Sequence, residues 1–387
     1  VRVAGSVAGS VAGSVAGSVA GSGGNPGGLL WSRPQLSRAP GTPVMAKIFL
    51  DAARGLATPY TPIWLNRQAG RYMPEYHLVK GKLPSLQFFK DPERAARATL
   101  DAQRILGVDA AILFADLLPV MEPMGLNLDY LVGEGPVFAN PVRTPADVEA
   151  LRVVPAIEGT PYIAQTVRNV LAELPADVAL IGFAGAPFTL ASYAIEGKGS
   201  RNYVHVKKFM YQAESAWHTL CGKLVEQVAD YLTLQIKAGV EAVQLFDTWV
   251  GNLSVADFRR YVAPSLKDLL ARLRRANPDV PIIYFGTGNH HLLDDVAALG
   301  PDVLAFDWRT PLGATWARLG SKSVQGNLDP IVLCADRATV EAQAAGILGE
   351  VRGRTGHIFN LGHGIIPETP VDNVKHLVEF VQRSSGR

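Results

Sequence analysis

Ala179-Leu180-Ile181-Gly182-Phe183, closed by Gly185-Ala186-Pro187, is a short, nearly continuous apolar run ending in a Gly/Pro turn. A strand apolar at successive positions rather than alternate ones is buried on both faces, as in a parallel sheet covered by helices. The same pattern recurs at Ile63-Trp64-Leu65, Ala110-Ala111-Ile112-Leu113-Phe114, Ala242-Val243-Gln244-Leu245-Phe246, Ile282-Ile283-Tyr284-Phe285, Val303-Leu304-Ala305-Phe306, Ser323-Val324-Gln325 and His357-Ile358-Phe359-Asn360. Most of these runs precede a helical pattern. Eight such units over roughly 330 residues predict an α/β chain folded as a single (β/α)8 TIM-type barrel, with its cleft at the C-terminal ends of the strands. A doubly wound open sheet is the competing architecture, because periodicity alone does not show closure.

The intervening helices carry their own punctuation. Asp91-Pro92-Glu93 supplies an N-cap, a proline in the first turn and an acid beside it, and Gly107 stops the helix. The pattern predicts one long helix from Val206 to Lys237 and another opened by Ser254, whose side chain suits a capping box with Asp257. Between Leu126 and Val142, Gly133-Glu134-Gly135-Pro136 and the β-like Val137-Phe138 predict an excursion over the barrel mouth.

Composition narrows the function. Of 387 residues, 48% are hydrophobic and 19% charged, with a formal net charge of +2, so a large core is available and no basic block marks a nucleic-acid or membrane surface. Cys221 and Cys334 are the only cysteines, too few for a disulfide framework or a thiolate zinc site and compatible with the cytoplasm. Residues 3–22 repeat Val-Ala-Gly-Ser five times. That tract has no large side chains to offset its ordering entropy, so residues 1–44 are expected to be a disordered extension, with Met45 the functional start and 45–387 the catalytic domain.

The polar residues fall at the ends of the apolar runs. Arg67-Gln68-Ala69-Gly70-Arg71-Tyr72 follows the first, Asp116 the second, Tyr193 comes after the third and Asp247-Thr248-Trp249 follows the fourth. Gly286-Thr287-Gly288-Asn289-His290, Asp307-Trp308, Asn327-Leu328-Asp329 and Gly362-His363-Gly364 end the others. Arg67 and Arg71, four apart across a Gly-containing turn, suit a carboxylate clamp, since a guanidinium makes bidentate bonds and stays charged. Pairing with Glu75 is the alternative. Asp116 could equally cap its own turn, and His363 between two glycines suits a close approach of backbone to ligand.

Four motifs, in order, resemble those of the uroporphyrinogen decarboxylase family: Arg67-Gln68-Ala69-Gly70-Arg71-Tyr72-Met73-Pro74-Glu75-Tyr76, Gly185-Ala186-Pro187-Phe188-Thr189-Leu190, Gln325-Gly326-Asn327-Leu328-Asp329-Pro330 and Phe359-Asn360-Leu361-Gly362-His363-Gly364. The resemblance implies a cytoplasmic, cofactor-free and metal-free homodimer that removes carbon dioxide from the four acetate side chains of uroporphyrinogen III, giving coproporphyrinogen III. It implies substrate contacts from Arg67, Gln68, Ala69, Gly70, Arg71, Asp116, Tyr193, Thr248 and His363, and catalytic roles for Asp116, Arg67, Tyr193 and His363. Two residues depart from the family's pattern: Asn66 stands where an apolar residue is usual, and Thr248 where serine is common. The competing functions are a zinc methyltransferase of the same superfamily, which needs a His/Cys ligand set, and a non-catalytic tetrapyrrole binder.

Overall fold

The computed structural model describes residues 47–131 and 133–386; the Val-Ala-Gly-Ser tract and the expectation of disorder there lie outside them. Nine strands are present among the described residues: β1 (Ala110–Ile112), β2 (Leu128–Leu131), β3 (Gly135–Phe138), β4 (Ala179–Gly185), β5 (Ala242–Asp247), β6 (Ile282–Gly286), β7 (Val303–Ala305), β8 (Ser323–Gln325) and β9 (His357–Ile358). Seven pair in parallel in the order β1-β4-β5-β6-β7-β8-β9, and β2 and β3 form a separate antiparallel hairpin. The hairpin is the excursion expected between Leu126 and Val142.

Seven of the eight apolar runs form strands of this sheet. The eighth differs: Ile63-Trp64-Leu65 contributes a single parallel bridge, Ile63 to Phe359. Local chemistry accounts for the shortfall. Pro62 has no N–H to give a ladder, and the Ile63 N–H goes to the Asp109 carboxylate at 2.8 Å rather than to a neighbouring carbonyl. Backbone contacts still reach both ways, from Phe359 N–H to the Pro62 carbonyl at 2.8 Å and from Asp109 N–H to the Ile63 carbonyl at 2.9 Å.

Period-two burial divides β1, β4, β5, β6 and β7 between two apolar clusters. Leu180, Val243, Leu245, Tyr284 and Val324 pack with Val167, Leu224, Val228 and Leu269 of the helices Pro161–Glu173, Glu214–Ala238 and Ala263–Ala276. Alternate residues Ala179, Ile181, Phe183, Ala242, Ile283 and Ala305 belong to the other cluster. Gly182 interrupts the β4 run for a physical reason. A Cβ there would lie 2.4 Å from Gln235 Oε1, and the same amide accepts from Phe183 N–H and donates to its carbonyl.

Helix Pro92–Leu106 is capped as expected, with the Asp91 side chain accepting from the N–H groups of Glu93 and Arg94 and left-handed Gly107 at its end. The single long helix expected from Val206 is two: Val204–Gln212 and Glu214–Ala238, separated by the non-helical Ala213 (φ −137°, ψ 50°). Apolar periodicity continues across the break, which is why it is not visible in the sequence.

Buried amides cross the sheet interior. Trp64 Nε1 donates to Gln325 Oε1 at 2.9 Å, Gln325 Nε2 to Gln244 Oε1 at 3.0 Å, Gln244 Nε2 to Asn66 Oδ1 at 3.2 Å, and Asn66 Nδ2 to the Leu361 carbonyl at 3.3 Å. Each donor points the same way along the series, an arrangement in which the bonds polarise one another. Asn66, at 2% exposure, therefore has partners for both side-chain polar atoms, and its departure from the family pattern is accommodated within this series.

Candidate active site

The turn after Leu65 is held from below by Gln68. Its side chain is fully buried, accepting from Leu65 N–H and donating to the Ala110 carbonyl, both at 3.3 Å. Its own carbonyl receives the Tyr72 hydroxyl at 2.6 Å. Gln68 thus fixes the turn with its side chain directed into the core. Arg67 sits on this support in the left-handed region, φ +61°, which costs a non-glycine residue about 1 kcal/mol and is tolerated where surroundings dictate it. Arg67 and Arg71 are exposed, while Ala69 and Gly70 are partly buried.

The alternative pairing with Glu75 is not realised. Among the described residues, neither Arg67 nor Arg71 has a carboxylate within 4.0 Å, whereas Arg97, Arg104, Arg259, Arg260 and Arg274 all do. Arg71 lies beside Tyr76, whose hydroxyl it makes more acidic against the stronger effect of burial.

Asp116 follows β1 and is partly buried. One carboxylate oxygen accepts from Leu118 N–H at 3.1 Å, so it does cap the turn into Pro119–Met121. Desolvation raises its pKa, opposed by the Tyr130 hydroxyl, the Leu118 N–H, the Arg67 guanidinium and the Leu117 N–H. Tyr130 belongs to β2, and its buried hydroxyl, with no partner at ordinary hydrogen-bond length, is brought to Asp116 by the hairpin. The excursion expected over the barrel mouth includes this residue, but nothing in its local pattern singles out Tyr130 as the neighbour of Asp116.

Tyr193 projects from helix Pro187–Glu196 and packs edge-on against Trp249, centroids 5.9 Å apart. Burial and the Asp116 carboxylate push its hydroxyl up to about 12 while Arg67 acts against them, so it remains an O–H donor at neutral pH. His363 is partly buried, edge-on to Trp308 at 6.2 Å. Burial first, then Arg67 and Arg309, lower its pKa from 6.5 to about 4. The Arg67 charge thus acts on Asp116, Tyr193 and His363 alike, and the Asp116 carboxylate acts on Tyr193.

Thr248 is placed differently. It follows β5 and is partly buried, and its carbonyl receives the Thr287 hydroxyl; among the described residues no hydrogen bond joins it to Asp116 or Tyr193. Its neighbour Asp247 is fully buried, bonded to the hydroxyls of Tyr284 at 2.8 Å and Thr189 at 2.9 Å, with its pKa raised by burial to about 6. Asp329 caps the Ile331 N–H. No group of three or more His, Cys, Asp or Glu side chains gathers as a metal-ligand set among the described residues. Phe183, Phe246 and Phe285 meet edge to face at 5.6 and 5.7 Å across β4, β5 and β6, an apolar layer that the polar residues at the strand ends do not announce.

The depressed His363 has a thermodynamic consequence. Its imidazole is neutral when folded and charges when unfolded, so stability that is intact above pH 6.5 is lost as pH falls towards about 4. In His363→Gln, the loss of urea resistance between about pH 7 and about pH 4.5 is expected to be smaller than in the wild type. Parallel stability curves for the two proteins would show that this imidazole is not held neutral.

The family model described as Uroporphyrinogen decarboxylase (URO-D) matches residues 45–384. The chain is 52% identical over 337 residues to the uroporphyrinogen decarboxylase of Chloroflexus aurantiacus, covering 86% of this chain and 95% of the relative. It is 48% identical over 343 residues to that of Carboxydothermus hydrogenoformans, covering 88% and 97%, and 48% over 335 residues to that of Thermus thermophilus, covering 87% and 97%. Among solved structures, a methyltransferase from Methanosarcina mazei superposes with a TM-score of 0.73 over 88% of this chain and 99% of that one. At 20% sequence identity, that likeness concerns the fold.

Proposed function

Because the chain belongs to the uroporphyrinogen decarboxylase family, we propose that it removes the four acetate carboxylates of uroporphyrinogen III as carbon dioxide, at the cluster of Arg67, Asp116, Tyr193 and His363. The observation that carries the placement is a pair of arginines, Arg67 and Arg71, without carboxylate partners among the described residues, beside a partly buried carboxylate. The substrate bears eight carboxylates, which a chain of small net charge must meet with local cations. Gln68, Ala69 and Gly70 shape the turn that presents those cations, and Thr248 lines the same strand-end face.

The chemistry needs somewhere for electrons to go. Protonating a pyrrole ring carbon gives an iminium-like cation; loss of carbon dioxide from the acetate returns its electron pair to the ring, and a second proton on the exocyclic carbon leaves a methyl group. The ring proton is then released. Each cycle consumes one proton and one carboxylate. Since the substrate ring is itself the electron sink, the reading includes neither metal nor organic cofactor. Asp116 accepts from the pyrrole N–H groups and stabilises the cation as it develops, a preorganised electrostatic role. Tyr193 and His363 offer neutral hydrogen-bond donors to substrate carboxylates, and Arg67 balances charge beside Asp116. Turnover of anaerobic uroporphyrinogen in the presence of a metal chelator tests this scheme: carbon dioxide release at the untreated rate is expected, and a chelator-sensitive rate would overturn it.

The same reading places Ile63-Trp64-Leu65 between β9 and β1 as the closing stave of an eight-stranded barrel, supported by its backbone bonds to Phe359 and Asp109. Residues 45–387 then make one catalytic domain, acting as a cytoplasmic homodimer by the family resemblance. No helix among the described residues is long and apolar enough to cross a membrane. Removal of residues 1–44 is expected to leave kcat/KM unchanged, because the family match begins at residue 45. A truncated protein that folds but turns over slowly would give the extension a part in catalysis.

A further inference from the structure

A third arginine is built into the loop leaving β7. The Arg309 guanidinium lies 3.8 Å from the centroid of the Trp308 ring, and its Nη1 donates to Asp307 Oδ2 at 2.7 Å. Both supports are themselves fixed. Asp307 is 1% exposed and also accepts from the N–H groups of Gly288 at 2.6 Å and Arg309 at 3.1 Å. The backbone of Trp308 packs so closely on Gly362 that a Cβ on that glycine would lie 2.2 Å from the Trp308 nitrogen. Yet the Arg309 side chain is 55% exposed.

A guanidinium carries five N–H donors in a rigid fork, and the Asp307 side chain engages one nitrogen. Stacking on the indole fixes the plane of the fork without using any donor. The outcome is a cation held in place with donors open to solvent, the condition under which an anion binds with little further ordering cost. Its location connects it to the candidate site: Trp308 meets His363 edge-on at 6.2 Å, and the Arg309 charge acts on the same imidazole as the Arg67 charge.

We propose that Arg309 is a further substrate-binding residue, taking one carboxylate of the substrate beside His363 and so extending the anion-binding face from the Arg67 turn to the loop after β7. This rests on the reading of the protein as a uroporphyrinogen decarboxylase. A residue that only braced its loop would act on stability and on kcat, whereas one that binds a carboxylate in both ground and transition states acts on KM.

Steady-state kinetics of Arg309→Gln and Arg309→Lys with anaerobic uroporphyrinogen, at several ionic strengths, separates the two. The glutamine variant is expected to raise KM about tenfold with kcat within about twofold, the size of one lost charge-assisted bond. Its KM should also depend less steeply on salt, and the lysine variant should recover part of the loss. An unchanged KM beside normal wild-type turnover would overturn this inference alone. A fall in kcat and thermal stability at constant KM would also overturn it, assigning Arg309 to the loop. Absence of wild-type turnover would remove the functional reading and this inference together.

Discussion

Replacing Asp116 by alanine is expected to lower kcat by at least about a thousandfold while uroporphyrinogen binding stays within about threefold, because the carboxylate acts chiefly on charge that appears in the transition state. Its surroundings suit that division. Partial burial makes the ionised form costly and therefore a strong acceptor, while the Leu118 N–H at 3.1 Å and the nearby Arg67 keep ionisation accessible. Binding of the peripheral carboxylates falls instead to the arginines, which the substitution leaves in place. Single-turnover rates and equilibrium binding of the variant measure the two effects separately. Retained turnover would take Asp116 out of the mechanism; lost binding would make it a structural anchor. Because burial raises its pKa from 3.8, the acid limb of wild-type kcat/KM should also be displaced upward from that of an ordinary aspartate.

The two glycines around His363 are expected to fail in different ways when replaced by alanine. At Gly362 the new Cβ would stand 2.2 Å from the Trp308 nitrogen and 2.8 Å from its Cα. Backbone cannot swing aside, so a stability loss of about 3 kcal/mol or more is expected. At Gly364 the nearest atoms are Arg67 Cδ at 2.4 Å, Cγ at 2.7 Å and Nε at 2.9 Å. A long exposed side chain can move, so the fold should survive while Arg67 leaves its place, with a loss of about a hundredfold in kcat/KM. Urea unfolding read beside kcat/KM distinguishes the pair. Wild-type kinetics in Gly364→Ala would show that Arg67 is not required where it stands.

Much of this arrangement is written locally in the chain. Apolar runs buried on both faces mark seven parallel strands, and Asp91 and Gly107 mark both ends of a helix, because those signals depend on near neighbours. The same is true of the Arg67-to-Arg71 turn. What escaped depends on distant parts of the fold. Pro62 and the Asp109 side chain reduce the first run to a bridge, a competition visible only once residue 109 is beside residue 63. Gln68 reads as a site residue because it stands next to Arg67, yet its side chain turns inward to Leu65 and Ala110. Tyr130 and Arg309 lie in segments expected at the barrel mouth, but which side chain of the hairpin meets Asp116, and which cation stands near His363, depends on tertiary placement. Asn66 looks anomalous after an apolar run until Gln244, 178 positions away, supplies its partner.

The measurement that bears most directly on the account is anaerobic incubation of the purified protein with uroporphyrinogen III, with products resolved by the number of carboxylates they retain. Stepwise loss from eight to four, with the four remaining carboxylates untouched, is the predicted result. A substrate that binds and keeps all eight would contradict the assignment of decarboxylase chemistry to this site.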